Sequence, residues 1–173
     1  MTRKVIGKDF FRRDTRAVAR ELLGKFLVRK AYGEEIAAMI TETEAYDGPK
    51  DKASHAHRGR TARNAPMFGS AGVWYVYLCY GMHNMLNIVT GEKKYPAAVL
   101  IRGVEGALGP GRVTKMFRIG REYNCAEAHP KTGLWIEDRG VKIRKGEIAA
   151  APRVGVAYAG PVWSKKHYRF FIK

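Results

Sequence analysis

The spacing of apolar and polar residues predicts a chain built mainly from strands. The clearest strand covers residues 73–80, where nearly every residue is aromatic or β-branched. Turn residues at 81–84 and apolar residues at 85–90 then predict a β-hairpin with Tyr80, Met82 and His83 near its tip. Further strands are expected at 26–28, 36–44, 97–102, 153–158 and 168–172.

Only two short helices are expected. Asp14 and Thr15 can cap a helix that continues to about Leu23, where Gly24 ends it. A second helix follows the Gly-Pro-Gly sequence at 109–111, which could bind phosphate with its free amides or serve as an ordinary cap. Few helices among many strands predict an α+β fold around a mostly antiparallel sheet, and the chain length predicts a single domain over residues 1–173.

One strand ends in a cluster of polar residues. Glu42, Glu44 and Tyr46 alternate along the strand, so they should point to the same face, together with the apolar residues at 36, 38 and 40. An apolar face that becomes acidic at its end predicts a partly desolvated acid site. The following residues, 48–70, show no periodicity but contain His55, His57 and several arginines, so they form either a disordered segment or, as we favour, a functional loop.

The charge of the chain suggests a polyanionic partner. Lysine and arginine number 32 against 16 acidic residues, which gives a formal net charge of +16. Nucleic acid is the favoured partner, an anionic membrane surface is the second option, and a generally basic protein is the alternative without a specific partner. Two cysteines without a CxxC pair, no signal sequence and no apolar run of membrane length predict a soluble intracellular protein.

The motifs of several enzyme classes are missing from the sequence. It contains no phosphate-binding lysine loop, no dinucleotide-binding turn, no zinc-deaminase pattern and no nucleophile elbow. His55 and His57 lack a further ligand at metal-binding spacing, so neither a metal nor a cofactor is expected. The remaining acidic, aromatic and basic groups suit the hydrolysis of a base from a sugar, although Glu44 alone also suits a salt bridge and Tyr75 and Tyr77 alone also suit core packing.

The chain resembles the alkyladenine (3-methyladenine) DNA glycosylase family. The matching strings follow the family order over nearly the whole chain: ETEAYDGP at 42–49, ASH at 53–55, Arg63-Asn64, Met67-Phe68, YVYLCYGM at 75–82, Asn87, VLIR at 99–102, GPGRVTK at 109–115, RVGVAYAG at 153–160 and Arg169-Phe170. The resemblance implies one compact domain with a curved antiparallel sheet, a protruding hairpin and no metal or cofactor. It also implies duplex DNA containing damaged purines as the partner, bound by a monomer.

The resemblance also implies roles for the pocket residues. Glu44 is expected to activate water for attack on C1′ of a nucleotide flipped out of the helix. Tyr46 and Tyr77 are the expected stacking walls, His55 closes the pocket and donates a hydrogen bond to the base, and the backbone of Ala53 accepts one from the base edge. Asn87 is the expected filter against the exocyclic amine of normal guanine, and Leu100 and Val154 line the pocket.

A second group of residues is expected to contact the DNA. Tyr80 is the expected intercalating side chain, flanked by Met82, and Arg102 is expected to support the phosphate of the flipped nucleotide; Tyr75 and Arg63 complete this set. Three positions depart from the family pattern: His83 replaces an aromatic residue, Pro161 replaces an acid, and the ending KKHYRF differs from the common form. A monofunctional glycosylase is therefore the leading hypothesis, with a non-catalytic damaged-DNA-binding module and a bifunctional glycosylase/lyase as alternatives.

Overall fold

The protein, described over residues 2–173 by a computed structural model, is built on a ten-stranded sheet. The strands are β1 (Lys4–Val5), β2 (Phe26–Ala31), β3 (Glu34–Asp47), β4 (Trp74–Cys79), β5 (His83–Val89), β6 (Ala97–Val104), β7 (Ala107–Leu108), β8 (Leu134–Asp138), β9 (Ile148–Ala151) and β10 (Arg169–Ile172). Seven strands follow the order β1-β8-β2-β3-β6-β5-β4 with antiparallel pairing, while β10 joins β3 to β9 and β7 pairs with β6. The predicted α+β class is confirmed.

Within the described part of the chain, four short α-helices accompany the sheet: α1 (Lys8–Phe11), α2 (Thr15–Glu21), α3 (Pro110–Met116) and α4 (Gly160–Trp163). The predicted start of α2 is confirmed, because the Asp14 side chain accepts a hydrogen bond from the amide of Ala17. Gly24 follows this helix with a φ of +84°, a value that an L-residue rarely adopts. No helix among residues 2–173 is long and apolar enough to cross a membrane.

The main core lies between one face of the sheet and the helices α2 and α3. Val18 of α2, Leu22 directly after this helix and Val113 of α3 are fully buried there, together with strand residues such as Leu86 and Ile101. The opposite face of the sheet carries two smaller apolar clusters, one around Tyr75, Val89 and Ala98 and one around Ala53, Val156 and Ala159. The segments 48–72 and 152–164 thus cover this second face, and the functional site lies beneath them.

The alternation of side chains between the two faces of the sheet shifts near the middle of β3, which corrects one of the predictions. Ile40 pairs with Val104 and Glu42 with Gly103, so Thr41 is an extra residue on β3, and Arg102 is then the extra residue on β6. The extra residue Thr41 forms a β-bulge that reverses the alternation of side chains along β3. Ile40 therefore faces the main core, whereas Glu42 and the residues two and four positions further along point to the opposite face. The predicted common face of the two acids and Tyr46 holds, but the apolar residues at 36, 38 and 40 do not share it.

The strand predicted at 153–158 is wrong. This segment makes a turn at Val154 and Gly155, where Gly155 has a φ of +73°, and then a 3₁₀ turn at Ala157–Ala159. The side chain of Arg153 is fully buried in an ion pair, and this long-range contact overrides the apparent alternation of the segment. The predicted hairpin is confirmed, although its return strand begins at His83 and not at 85.

Candidate active site

The site begins with one row of paired residues that crosses four strands. Glu44 on β3 pairs with Leu100 on β6, Leu100 pairs with Asn87 on β5, and Asn87 pairs with Tyr75 on β4. Directly paired residues point to the same face of a sheet, so these four side chains form a continuous floor. The register of the sheet therefore brings together residues that lie far apart in the sequence.

A cavity of about 220 Å³ opens over this floor. Its volume is below the roughly 300–1,000 Å³ typical of sites for drug-sized ligands, so it suits one flat, base-sized group. The cavity brings together most of the predicted site residues and several others: Glu44, Tyr46, Ala53, His55, Met67, Tyr75, Tyr77, Cys79, Tyr80, Met85, Asn87, Ala98, Leu100, Arg102, Pro110, Val154, Gly155, Val156 and Tyr158. Of the predicted set, Met82 and Arg63 lie outside this lining.

Glu44 is the buried carboxylate of the site, with 1% of its surface exposed. Its Oε1 accepts a hydrogen bond of 2.8 Å from the backbone N–H of Val154, and its Oε2 accepts one of 2.8 Å from the hydroxyl of Tyr46. Burial raises the pKa of Glu44, while the Val154 amide, the Tyr46 hydroxyl and the nearby Arg102 oppose this rise. The group is therefore a stronger base than an exposed glutamate and is already oriented by two donors.

Arg102 on β6 lies close to both Glu42 and Glu44 of β3. Its Nε is 3.3 Å from Oε1 of Glu42 and 3.7 Å from Oε1 of Glu44, and Arg169 donates a hydrogen bond of 2.9 Å to Glu42. Arg102 is the extra residue of the β-bulge, which explains how it reaches both carboxylates. The family resemblance implies a phosphate contact for Arg102; in the structure its Nε faces the two carboxylates, and 18% of the side chain is exposed.

Aromatic rings form the wall of the cavity next to Asn87. The rings of His55 and Tyr77 have centroids 4.6 Å apart, and those of Tyr75 and Tyr77 are 5.2 Å apart. Nδ1 of His55 lies 3.2 Å from the hydroxyl of Tyr75. Burial lowers the pKa of His55, with the charge of Arg63 adding to this effect, so the imidazole is neutral at physiological pH.

Tyr75, which is among the expected DNA contacts, lines the cavity. The residue is only 2% exposed, and its ring lies where the floor meets the aromatic wall. Burial raises the pKa of its hydroxyl to about 12, so the group remains protonated. Its position makes it a support for His55 and Tyr77.

The segment after β3 is a folded loop and holds two groups against the cavity. The amide of Asn64 donates hydrogen bonds to the carbonyl oxygens of His55, at 3.1 Å, and Gly59, at 2.9 Å. The carbonyl of Ala53 accepts a hydrogen bond of 2.7 Å from the hydroxyl of Tyr158. These bonds fix the backbone of the loop in residues 53–64.

Asn87 and Leu100 occupy the centre of the floor. The amide nitrogen of Asn87 donates to the carbonyl oxygens of Tyr75, at 3.2 Å, and Met85, at 3.4 Å, so the side chain has a defined orientation. Asn87 and Leu100 are 3% and 4% exposed, whereas Val154 is 48% exposed and lies at the rim of the cavity.

The tip of the β4–β5 hairpin projects beside the cavity. Tyr80 is 92% exposed and Met82 is 73% exposed, unusual values for large apolar side chains. Arg63 supports the hairpin, since its Nη2 donates a hydrogen bond of 2.8 Å to the carbonyl of Leu78 and its guanidinium lies 5.1 Å from the centre of the Tyr77 ring. His83, the departure from the family pattern, packs closely against Gly111 at the start of α3.

Among the residues of the site that sequence reasoning did not identify, Asp51, Arg153 and Tyr158 carry polar groups that shape it. Asp51 and Arg153 form a fully buried ion pair behind the cavity, and Tyr158 lines it. Arg153 and Tyr158 belong to the matching string RVGVAYAG, so the resemblance could have indicated them. Asp51 stands between two lysines and gives no signal of burial. Residues 2–173 contain no cluster of three or more His, Cys, Asp or Glu side chains placed to hold a metal ion.

Comparison with known proteins places the chain in a class, the DNA glycosylases that repair alkylation damage. The family model described as "Methylpurine-DNA glycosylase" matches residues 9–108 and 105–173. The chain belongs to the methylpurine-DNA glycosylase family, which confirms the resemblance seen in the sequence.

Individual relatives match over almost the whole chain. The chain is 46% identical over 175 residues to a protein of Anaeromyxobacter sp. (strain Fw109-5), covering 97% of this chain and 89% of that protein. It is 44% identical over 189 residues to a protein of Methanocella arvoryzae, covering 98% and 92%. A protein of Sodalis glossinidius is 38% identical over 177 residues, covering 98% of each chain. All three carry the name "Putative 3-methyladenine DNA glycosylase".

Proposed function

We propose that this glycosylase hydrolyses the N-glycosidic bond of alkylated or deaminated purines in duplex DNA after flipping the damaged nucleotide into the cavity. The observation that carries the proposal is Glu44, a buried carboxylate on the floor of a base-sized aromatic cavity. Enzymes that act on a base within a duplex must first take it out of the stack, which requires such a pocket. The 3-methyladenine, 7-methylguanine, ethenoadenine and hypoxanthine lesions are the proposed substrate class.

The flipped base stacks between Tyr46 and Tyr77, with His55 closing the wall. Aromatic faces bind flat bases and hold cationic ones especially well, which favours alkylated purines that carry a positive charge. The ordered Asn87 on the floor acts as the filter against the exocyclic amine of normal guanine, and Ala53 offers its carbonyl to the base edge. Tyr80, flanked by Met82 at the tip of the hairpin, fills the gap that the base leaves in the duplex.

In the reaction, Glu44 takes a proton from a water molecule whose oxygen attacks C1′. The new C1′–O bond replaces the bond between C1′ and the base nitrogen, and the electron pair of that bond leaves with the base. A cationic alkylated purine becomes neutral in this way, so it is a good leaving group without an acid. A neutral lesion such as hypoxanthine leaves as an anion and takes up the proton that Glu44 received from the water. Arg102 faces Glu44 and stabilises its charged form before the proton moves. In line with the family resemblance, we propose that a monomer is the active unit.

The non-catalytic alternative keeps the pocket without turnover, but it gives no reason for a buried carboxylate on the floor. The lyase alternative requires an amine nucleophile, and the described residues that line the cavity include no lysine. Hydrolysis by activated water therefore has the better support.

The test is the rate of base release by Glu44→Gln, measured in single turnover on duplexes that contain 7-methylguanine or hypoxanthine. Loss of the general base is expected to lower the rate by about 10²- to 10⁴-fold. Glu42→Gln is the matched comparison, because Glu42 pairs with Arg169 at 2.9 Å and has no assigned proton transfer, so a smaller loss is expected. A near wild-type rate for Glu44→Gln would show that Glu44 is not the general base. An enzyme–DNA adduct trapped by borohydride would show lyase chemistry and contradict hydrolysis.

A further inference from the structure

Asp51 and Arg153 form an ion pair in the interior, directly behind the candidate active site. Both side chains are 0% exposed. Arg153 donates to both oxygens of Asp51, through Nη1 at 2.5 Å and through Nη2 at 2.8 Å. A buried ion pair is weak evidence for stability, because the desolvation of two charges offsets their attraction. The contacts around this pair indicate a geometric role.

The pair first fixes the end of β3 on both sides of Tyr46. Nη1 of Arg153 donates a hydrogen bond of 2.8 Å to the carbonyl of Ala45, and Oδ2 of Asp51 accepts one of 3.0 Å from the amide of Asp47. The guanidinium of Arg153 also lies 4.8 Å from the centre of the Tyr46 ring, within the range of a cation–π contact. The orientation of Tyr46 therefore depends on the pair through both its backbone and its ring.

The pair also fixes two other segments of the cavity wall. Oδ1 of Asp51 accepts a hydrogen bond of 3.0 Å from the amide of Ala53 in the loop. Arg153 directly precedes Val154, whose amide donates the 2.8 Å hydrogen bond to Oε1 of Glu44. Anchoring the Arg153 side chain thus places this amide in front of the carboxylate.

We propose that Asp51 and Arg153 are positioning residues for base release, because their pair holds Tyr46 and Val154 where both donate hydrogen bonds to Glu44. This inference rests on the proposed function of Glu44. Neither side chain of the pair lines the cavity, so both act through other groups and touch no substrate. A misplacement of about 1 Å caused by a mutation outside the reacting groups can cost about 100-fold in rate.

The pair also has an electrostatic effect on Glu44. Burial is the largest influence and raises the pKa of Glu44, whereas the Val154 amide and the charge of Arg153 are among the groups that lower it. The ionisable and charged groups around this carboxylate are Glu42 and Tyr46 on β3, Arg102 on β6, Arg169 on β10 and Arg153 in the segment after β9. Loss of the pair removes two opposite charges together, but displacement of the Val154 amide should raise the pKa of Glu44 further, so the base form would be lost at a higher pH.

The test compares Arg153→Lys and the double variant Asp51→Leu with Arg153→Met against the wild type. Arg153→Lys keeps the charge but loses the two-pronged geometry, and the double variant leaves no unpaired buried charge. The plateau rate of base release from 7-methylguanine duplex at saturating enzyme reports on folded complexes only. It is expected to fall by about 10- to 100-fold in both variants. Affinity for a duplex with an abasic-site analogue should be unchanged. In the double variant, the acid limb of the pH–rate profile, where the rate falls as Glu44 becomes protonated, should move to higher pH.

Glu137→Gln is the matched control. It removes a second largely buried ion pair, between Glu137 and Arg139 at 2.6 Å on the distant part of the sheet. It should lower the melting temperature but leave the plateau rate and the acid limb unchanged. The positioning role would be overturned if Arg153→Lys and the double variant kept the wild-type plateau rate and the acid limb did not move. Failure of both variants to fold would also overturn it. Absence of base release by the wild type itself would instead contradict the proposed function.

Discussion

At the scale of single residues, Glu44 combines burial with the charge that catalysis requires. A folded-state pKa above the unfolded value means that the folded protein favours the protonated form of this group. The contribution of the protonated Glu44 to the free energy of unfolding is complete at a pH below the pKa of the unfolded state. It is lost as the pH rises through the pKa of the folded state. At neutral pH the charged Glu44 therefore destabilises the fold, which is a typical cost of an active-site group.

Glu44→Gln is accordingly expected to make the protein more stable at pH 7, because the amide fills the same space without a buried charge. Thermal unfolding of the variant and the wild type at pH 7 and pH 4 would test this. The gain in melting temperature should be larger at pH 7, since at pH 4 the wild-type carboxyl is already protonated. Glu42→Gln is the control, because Glu42 is bonded to Arg169 and its replacement breaks that ion pair. If Glu44→Gln were no more stable than the wild type at pH 7, the destabilising effect assigned to the charge of Glu44 would be contradicted.

At the scale of elements, the β4–β5 hairpin shows what a local pattern determines. Aromatic and β-branched residues and a glycine turn specify the hairpin without help from distant segments, so it could be predicted. The face change in β3 could not, because Thr41 becomes an extra residue only through the way β3 and β6 pair. The ion pair of Asp51 and Arg153 joins residues 102 positions apart, and no local signal marks either partner as buried.

The register of the sheet explains why the candidate site was largely predictable as a set of residues but not as a geometry. The family resemblance named Glu44, Tyr46, Tyr77 and Asn87, and the structure brings them to one cavity. The hydrogen bond from the Val154 amide to Glu44 depends on a turn where alternation suggested a strand. A backbone amide is present in nearly every residue, so the identity of a residue does not indicate which contact its amide makes. Only the folded structure shows that contact.

The exposed tip of the hairpin should determine how well the protein captures a lesion. Tyr80 has a φ of +49°, a left-handed conformation that asparagine tolerates better than most residues. Tyr80→Asn should therefore remove the ring without disturbing the turn. Loss of about 1–3 kcal/mol of stacking would weaken binding to lesion-containing duplex by about 5- to 150-fold. Equilibrium binding and thermal unfolding measured together would check this, and unchanged affinity would exclude Tyr80 as the wedge.

At the scale of the whole molecule, the net charge of +16 fits a protein that binds the phosphates of DNA. A basic groove adjoins the cavity, and His55 and Tyr158 belong to the lining of both. The groove is lined in addition by Lys52, Ser54, His57 and Arg58. A strand whose damaged base enters the cavity must continue past its rim, and this groove offers the cations for its backbone.

The groove predicts a change in the salt dependence of DNA binding. Each phosphate contact contributes about −0.9 to the slope of log K against log salt concentration, so Lys52→Ala and Arg58→Ala should each reduce the slope by about that amount. Lys4→Ala is the control, since Lys4 lies on β1 at the far edge of the sheet and should leave the slope unchanged. Titrations of one lesion-containing duplex at four or more salt concentrations would provide the slopes. Because base contacts do not release counterions, a slope that both groove variants leave unaltered would mean that the DNA backbone takes another path across the protein.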